Sequence, residues 1–295
     1  MLALALLLGQ DHHPSVFRAV FEDRPRQLIV VLGRNTPKPV GFIIHPDLGG
    51  VRKVWEGTID YRGKVYDFSQ NNSRAEGRTL WEAPERVLEM PADAAGWTLQ
   101  HVTAKDGGWE FDGPDAAVSS PEFRADVLQT AYVGFDEIGT KTRFTISLID
   151  GSGKVATEFG SSTAQDNGWQ WNFKRLPSLK GPLTMRVTQK DGSAKKRIRN
   201  LRVFGDRPIW FDGTGQPIPA QLVGYSVDGP DKVSVDFRVS RATVGWTPSL
   251  SPTEWTETFS VQGLEPGQAL QFRRPGTQYD SVSMVNGVYK LRYAR

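Results

Sequence analysis

The residues best suited to chemistry fall in one short run, Asp166-Asn167-Gly168-Trp169-Gln170-Trp171-Asn172. Extended as a strand, this run sends Trp169 and Trp171 to one face and Gln170 to the other, because side chains alternate along a strand. Two indoles on one face make a flat platform on which the axial C–H groups of pyranose rings stack. Asp166, Asn167 and Asn172 can supply hydrogen bonds beside it. The same spacing also suits two core residues of a sandwich, since aromatic side chains dominate buried surface. Arg143 and Arg186 point outward on neighbouring predicted strands, where they either hold an acidic sugar or face solvent.

A second group lies nearer the N-terminus. Trp55, Tyr61 and Tyr66 are close in sequence to Arg24, Arg26, Lys53 and Arg62. Cation–π packing or a carboxylate pocket fits these residue types. So does a structural Arg24-Pro25-Arg26 corner whose guanidiniums cap backbone carbonyls. Trp246 and Trp255 flank a third, weaker candidate, a loop over residues 247–253, because loops carry binding sites more often than strands do.

The catalytic inventory is thin. The chain has no cysteine, which excludes disulfides, thiolate nucleophiles, Cys-ligated zinc and the CxxCH attachment of haem. The histidines are His12, His13, His45 and His101. His12 and His13 are adjacent and do not readily converge on one metal. His45, in Ile44-His45-Pro46-Asp47, suits a turn cap better than a base. GxSxG, HExxH and P-loop motifs are absent. Glu110 and Asp112 flank Phe111 on one predicted strand face, and Asp136-Glu137 read as a loop. Carboxylate pairs for glycosidic cleavage need not be close in sequence, so a glycoside hydrolase or lyase stays open as an alternative. A jelly roll can hold structural calcium through loop carboxylates and carbonyls, but no loop reads as a dedicated site.

The composition bounds the rest. The 36 basic and 33 acidic residues leave a net charge of +3, a slight excess of bases with no basic face. The basic cluster Lys195, Lys196, Arg197, Arg199 and Arg202 reads as a solvated hairpin tip; nucleic-acid binding is not expected. The first residues, MLALALLL, resemble the apolar region of an export signal without its basic start, as if clipped by a wrong start codon. That run is too short to span a bilayer, and no membrane span is expected. The expected location is periplasmic or extracellular.

These residues must be positioned by strands. Residues 142–148 (TRFTISL), 184–188 (TMRVT) and 232–239 (KVSVDFRV) alternate polar and apolar, the period of a strand with one buried and one wet face. Asp-Gly or Asn-Gly pairs at 106, 112, 150, 191, 212, 228 and 286 suit tight hairpins. Helical periodicity is confined to two short stretches, around residues 14–20 and 82–88. The prediction is all-β: two β-sandwich, jelly-roll-like domains, the second inserted into the first. Residues 1–13 form the signal or a disordered N-terminus. Residues 14–95 and 206–295 form the outer domain, and 97–204 the insert. Residues 84–96 and 205–219 read as connectors, and 129–135 with 142–149 as a strand pair.

The outer segments carry a family resemblance. Phe17-Arg18, Arg24-Pro25-Arg26, Lys53-Val54-Trp55-Glu56-Gly57 and Gly63-Lys64-Val65-Tyr66 come in that order, and residues 221–227 and 233–239 follow as returning strands. This pattern resembles a β-rich domain found beside c-type cytochromes in large bacterial proteins that also carry sugar-dehydrogenase-like propellers. The insert resembles a jelly roll of the carbohydrate-binding-module or concanavalin-like kind. The chain lacks the haem motif and any propeller repeat, so the resemblance implies neither haem nor sugar oxidation. It implies an exported accessory protein in a sugar-processing setting, non-catalytic and binding a polysaccharide or oligosaccharide. The alternative it implies is a structural module that docks to a cytochrome or dehydrogenase.

Overall fold

The structure, a computed structural model, describes residues 15–61, 73–138, 144–160, 169–190, 196–229 and 231–295. Among them every regular element is a strand, and no helix is long and apolar enough to cross a membrane. The all-β prediction holds. The chain divides into two compact units. One runs to Asp60 and adds Arg74–Ala83 and Pro208–Arg295; the other is Pro84–Arg207 with Tyr61 and Ser73.

The first unit begins with β1 (Ser15–Phe21), β2 (Arg24–Leu32), β3 (Val40–His45), β4 (Gly50–Asp60) and β5 (Arg74–Glu82). These form one sheet in which each strand pairs with its chain neighbour. The second unit holds β6 (Pro84–Glu89), β7 (Thr98–Gln100), β8 (Val102–Lys105), β9 (Gly108–Phe111), β10 (Ala117–Ser119), β11 (Phe123–Arg124), β12 (Thr130–Ile138), β13 (Phe144–Asp150), β14 (Val155–Gly160), β15 (Gln170–Arg175), β16 (Pro182–Gln189) and β17 (Lys196–Asp206). The first unit resumes with β18 (Trp210–Phe211), β19 (Ala220–Val227), β20 (Val233–Val239), β21 (Ala242–Leu250), β22 (Glu254–Gln262), β23 (Leu270–Phe272), β24 (Val282–Met284) and β25 (Gly287–Ala294).

In the first unit, β1–β5 face a second sheet of order β19-β20-β21-β22-β25, joined by a small sheet β18-β23-β24. One core holds Val30, Phe42 and Val54 from the first sheet with Phe237, Trp246 and Phe259 from the second and Trp210 and Phe272 from the third. Strand β3, VGFIIH, is buried along its whole length, which explains why it reads as an apolar run and not as an alternation.

In the second unit most neighbours are not consecutive, as in a jelly roll; only β8 with β9 and β13 with β14 follow one another. One sheet has the order β14-β13-β16-β10-β7 with β11 beside β16, the other β15-β12-β17-β9-β8 with β6 beside β17. Between them lies a core that includes Ile146, Met185 and Val187 from the first sheet and Val133, Phe135, Ile198 and Val203 from the second. The alternation in β13 and β16 appears directly as alternating burial. The Asp106-Gly107 pair closes β8 onto β9, with φ of 51° and 71°, the geometry two-residue hairpins favour.

Several local expectations change. Both stretches with helical periodicity are strands, β1 and the end of β5 with β6; pairing with neighbours overrides their weak propensity. Half of the first expected connector is β6, which pairs with β17. The second contains β18, whose Trp210 is fully buried. The expected pair of 129–135 with 142–149 does not form: β12 and β13 are strands of opposite sheets, and residues 142 and 143 lie outside the described residues. Trp246 and Trp255 are core residues, and the stretch between them is strand up to Leu250.

Candidate functional site

The site is built on strand β12. Its residues Val133 and Phe135 enter the core, so Tyr132, Gly134 and Asp136 face outward. On one side β15 sets Phe173 opposite Gly134 and Trp171 opposite Asp136. On the other side β17 sets Phe204 opposite Tyr132, Arg202 opposite Gly134 and Arg199 opposite Asp136. A register shift in β17 follows Arg199, where Asn200 takes φ 54°. That bulge keeps Arg199 and Arg202 on the same outer face although three positions separate them.

Gly134 decides what this face looks like. It carries no side chain, so the Trp171 indole lies across β12. A Cβ at Gly134 would stand 2.4 Å from the Trp171 ring and 3.0 Å from Phe204. Across that gap the Arg202 guanidinium meets the Trp171 ring at 4.4 Å from its centroid. Trp169 is covered in the same manner, by Arg199 at 4.1 Å and Arg197 at 5.4 Å. Tyr132 stacks on Phe204 at 5.7 Å and meets Phe173 edge-on at 6.4 Å. Indoles and guanidiniums thus interleave into one surface, held by attraction between the cations and the ring faces.

Hydrogen bonds orient the cations. Arg199 Nε donates to Asp136 Oδ2 at 3.2 Å, and Asn200 Nδ2 donates to the same oxygen at 2.7 Å. Arg197 donates to Asp106 at 3.0 Å. A stacked guanidinium keeps its N–H groups in its own plane, where they point sideways toward oxygen acceptors. Trp169 and Trp171 are both half-buried. They are therefore neither wholly interior nor a bare platform.

Beneath the face the next residue of β12 points inward. Glu137 and Lys196 are both fully buried and pair at 3.1 Å. Asn172 Nδ2 donates to Glu137 at 3.0 Å. Burial holds the Lys196 ammonium below its usual range, against the opposing pull of Glu137. Three expectations are corrected. Of the basic cluster, Lys195 lies outside the described residues, and the rest is not a solvated tip, because its arginines stack on tryptophan and Lys196 is an interior ion-pair partner. Asp136-Glu137 is not a loop but strand. Asn172 serves the interior carboxylate and not the outer face.

The other sequence candidates are scattered. Asp166, Asn167, Arg143 and Tyr66 lie outside the described residues. Arg186 is exposed on β16, in the opposite sheet, between Ser119 and Ser147. In the first unit Trp55 is fully buried, packs its ring against Gly41 and donates to the Thr58 carbonyl at 2.9 Å. Arg24 is buried in strand β2, and Arg26 takes φ 57°. The cations around them answer to Glu22, which accepts from Arg52 at 3.0 Å and Lys53 at 2.8 Å. That network is structural. His45 Nδ1 accepts from the Asp47 amide at 3.2 Å, the turn cap its sequence suggests.

The residues of the face missed from sequence are Phe173, Arg197, Arg199 and Arg202, with Tyr132 and Phe204 buried beneath them. The alternation Arg197-x-Arg199 and Arg202-x-Phe204 marked them, but the bulge at Asn200 broke the period between the two halves.

Among the described residues no group of histidine and carboxylate side chains could hold a metal ion. No protein-family model matches the chain, and no curated protein matches it. Among solved structures it is similar to the N-terminal CBM22-1-CBM22-2 tandem domain of Paenibacillus barcinonensis Xyn10C, at 12% identity and a TM-score of 0.32, over 72% of this chain and 85% of that one.

Proposed function

We propose that the protein is an exported, non-catalytic β-sandwich protein that binds carbohydrate, accessory to a sugar-processing system. The observation that carries this reading is the outer face of the β15-β12-β17 sheet. There half-buried Trp169 and Trp171 lie beside oriented guanidiniums of Arg197, Arg199 and Arg202. Sugar rings stack their C–H groups on aromatic faces and present hydroxyls to planar N–H donors, and this surface carries both kinds of group. Asp136 and Glu137 face opposite sides of their strand, so they do not form the facing pair that glycosidic cleavage uses.

Affinity electrophoresis through gels loaded with neutral and acidic polysaccharides tests the reading. Retardation of the protein by at least one polymer is expected, and uniform mobility in all of them would refute it.

A second reading rests on a different observation. Strand β19 is an edge of its sheet and exposes Val223, Tyr225 and Val227. An exposed apolar edge is a template for strand addition by a protein partner, such as a cytochrome or dehydrogenase. Co-purification with such a partner, without any glycan affinity, favours that reading.

A further inference from the structure

Strand β19 ends its sheet with no neighbour on its outer side. Its first half is closed. The Leu222 amide donates to the Pro46 carbonyl at 2.9 Å, and Val223 is the extra residue of a bulge between Leu222 and Gly224. Beyond the bulge, Gly224-Tyr225-Ser226-Val227 has no backbone partner along its outer edge among the described residues.

Edge strands invite pairing, and proteins blunt them with charged side chains. Arg18 lies on β1, Arg74 on β5, Lys105 on β8, Glu158 on β14, Lys174 on β15 and Lys290 on β25. Among the described residues, β19 alone of the edge strands longer than three residues carries no charged side chain. Its side chains also alternate. Tyr225 lies opposite Val235 and Val227 opposite Val233. Both partners belong to the core, so Tyr225 and Val227 point to the inner side of the sheet. They are nonetheless 44% and 39% exposed. Gly224 and Ser226 lie opposite Asp236 and Ser234, on the outer side. A strand that fits this edge is uncharged and sets apolar residues at every second position on the inner side. β19 is itself such a strand.

We infer that β19 pairs antiparallel with β19 of a second copy of this chain, joining two five-stranded sheets across a twofold axis at Ser226. A twofold interface sets one surface against itself, so a charge near the axis meets its own image. The opposite edge, β25, carries Lys290 and Arg292 and fails that condition; β19 meets it. In this register Tyr225 stands opposite the partner's Val227 on the inner side, an aromatic–β-branched pair that occurs twice. Ser226 stands opposite the partner's Ser226 on the outer side. Asp228, just past the strand, comes opposite the partner's Gly224, clear of its own image. This occupant differs from the cytochrome or dehydrogenase of the second reading, and the dimer is independent of glycan binding.

Sedimentation velocity of the full chain from about 10 μM to about 1 mM tests this, the range in which so short an interface populates its dimer. The wild type should shift toward dimer as concentration rises. Tyr225→Lys should weaken that dimer about tenfold or more, because it buries an unpaired charge. Val288→Lys, at an exposed position of β25, should leave it unchanged. The chain has no cysteine, so Ser226→Cys adds a single thiol at the axis. Opposed Cα atoms of an antiparallel pair lie about 4.5–5.5 Å apart, within disulfide reach. Mild oxidation should convert Ser226→Cys to covalent dimer, and Val288→Cys far less. Circular dichroism verifies that each variant is folded, and Val227→Lys replaces Tyr225→Lys if that one is not. A wild type monomeric throughout would overturn the inference, as would a dimer that the lysine variant leaves intact or equal cross-linking of the two cysteine variants. A monomeric wild type that captures a cytochrome or dehydrogenase through β19 would assign the edge to that partner instead.

Discussion

The Arg199 guanidinium lies 4.1 Å from the centroid of the Trp169 ring while its Nε donates to Asp136. One carboxylate and one indole therefore fix the same cation from its edge and its face. Arg199→Ala should destabilise the second unit by about 0.5–2 kcal/mol, the range of a partly exposed cation–π contact and an ion pair. Arg199→Lys should recover little of it, because an ammonium lacks the planar face. Urea denaturation of the three proteins checks this; full recovery by lysine would show that charge alone matters.

Gly134 makes room for the Trp171 ring. Gly134→Ala should push the indole aside at a cost of about 1–3 kcal/mol, typical of overpacking. The variant should fold, with altered tryptophan fluorescence and weaker glycan binding. Unchanged fluorescence and stability would mean the ring does not rest on β12.

The buried pair of Glu137 and Lys196 underlies the face. Lys196→Met leaves a carboxylate uncompensated in the core, which should cost about 3–5 kcal/mol. The Glu137→Gln/Lys196→Met double variant removes both charges, and its amide can still accept from Asn172. It should regain most of the loss. A double variant no more stable than the single one would show that the ion pair is not what holds this region.

The first unit should be acid-sensitive through Glu22. Burial raises its carboxyl, but Arg52 and Lys53 outweigh burial and hold it below its ordinary 4.5. A folded-state value below the unfolded one adds stability that is present above 4.5 and is lost as pH falls through the folded value. Unfolding midpoints should therefore fall as pH drops below 4.5, and less steeply in Glu22→Gln. Parallel pH profiles for the two proteins would exclude this group as a cause.

Sequence reasoning reached the strands of this protein more easily than their partners. Alternation in β13, β16 and β20 marks one wet face and one buried face, and all three strands fall where it points. Asp106-Gly107 marks its hairpin. Alternation cannot say which sheet a strand joins, so residues 129–135 and 142–149 looked like partners, whereas β12 and β13 belong to opposite sheets. The site was half legible. Trp169 and Trp171 are recognisable from their spacing alone. Their arginine covers come from β17, some thirty residues on, and a bulge at Asn200 hides the match. Trp55 looked like a site residue because aromatic and basic types cluster around it. Its burial depends on Gly41, a neighbour supplied only by strand pairing.

The central claim is that the Trp169–Trp171 face binds glycan. Isothermal titration with a polysaccharide that retards the wild type, beside the Trp169→Ala/Trp171→Ala variant, tests it most directly. Circular dichroism and a thermal melt verify that the variant is folded, and Arg202→Ala serves as a milder probe of the same face should it not fold. The account predicts that binding is lost in the folded double variant and weakened in Arg202→Ala. Wild-type affinity in either folded variant would contradict it.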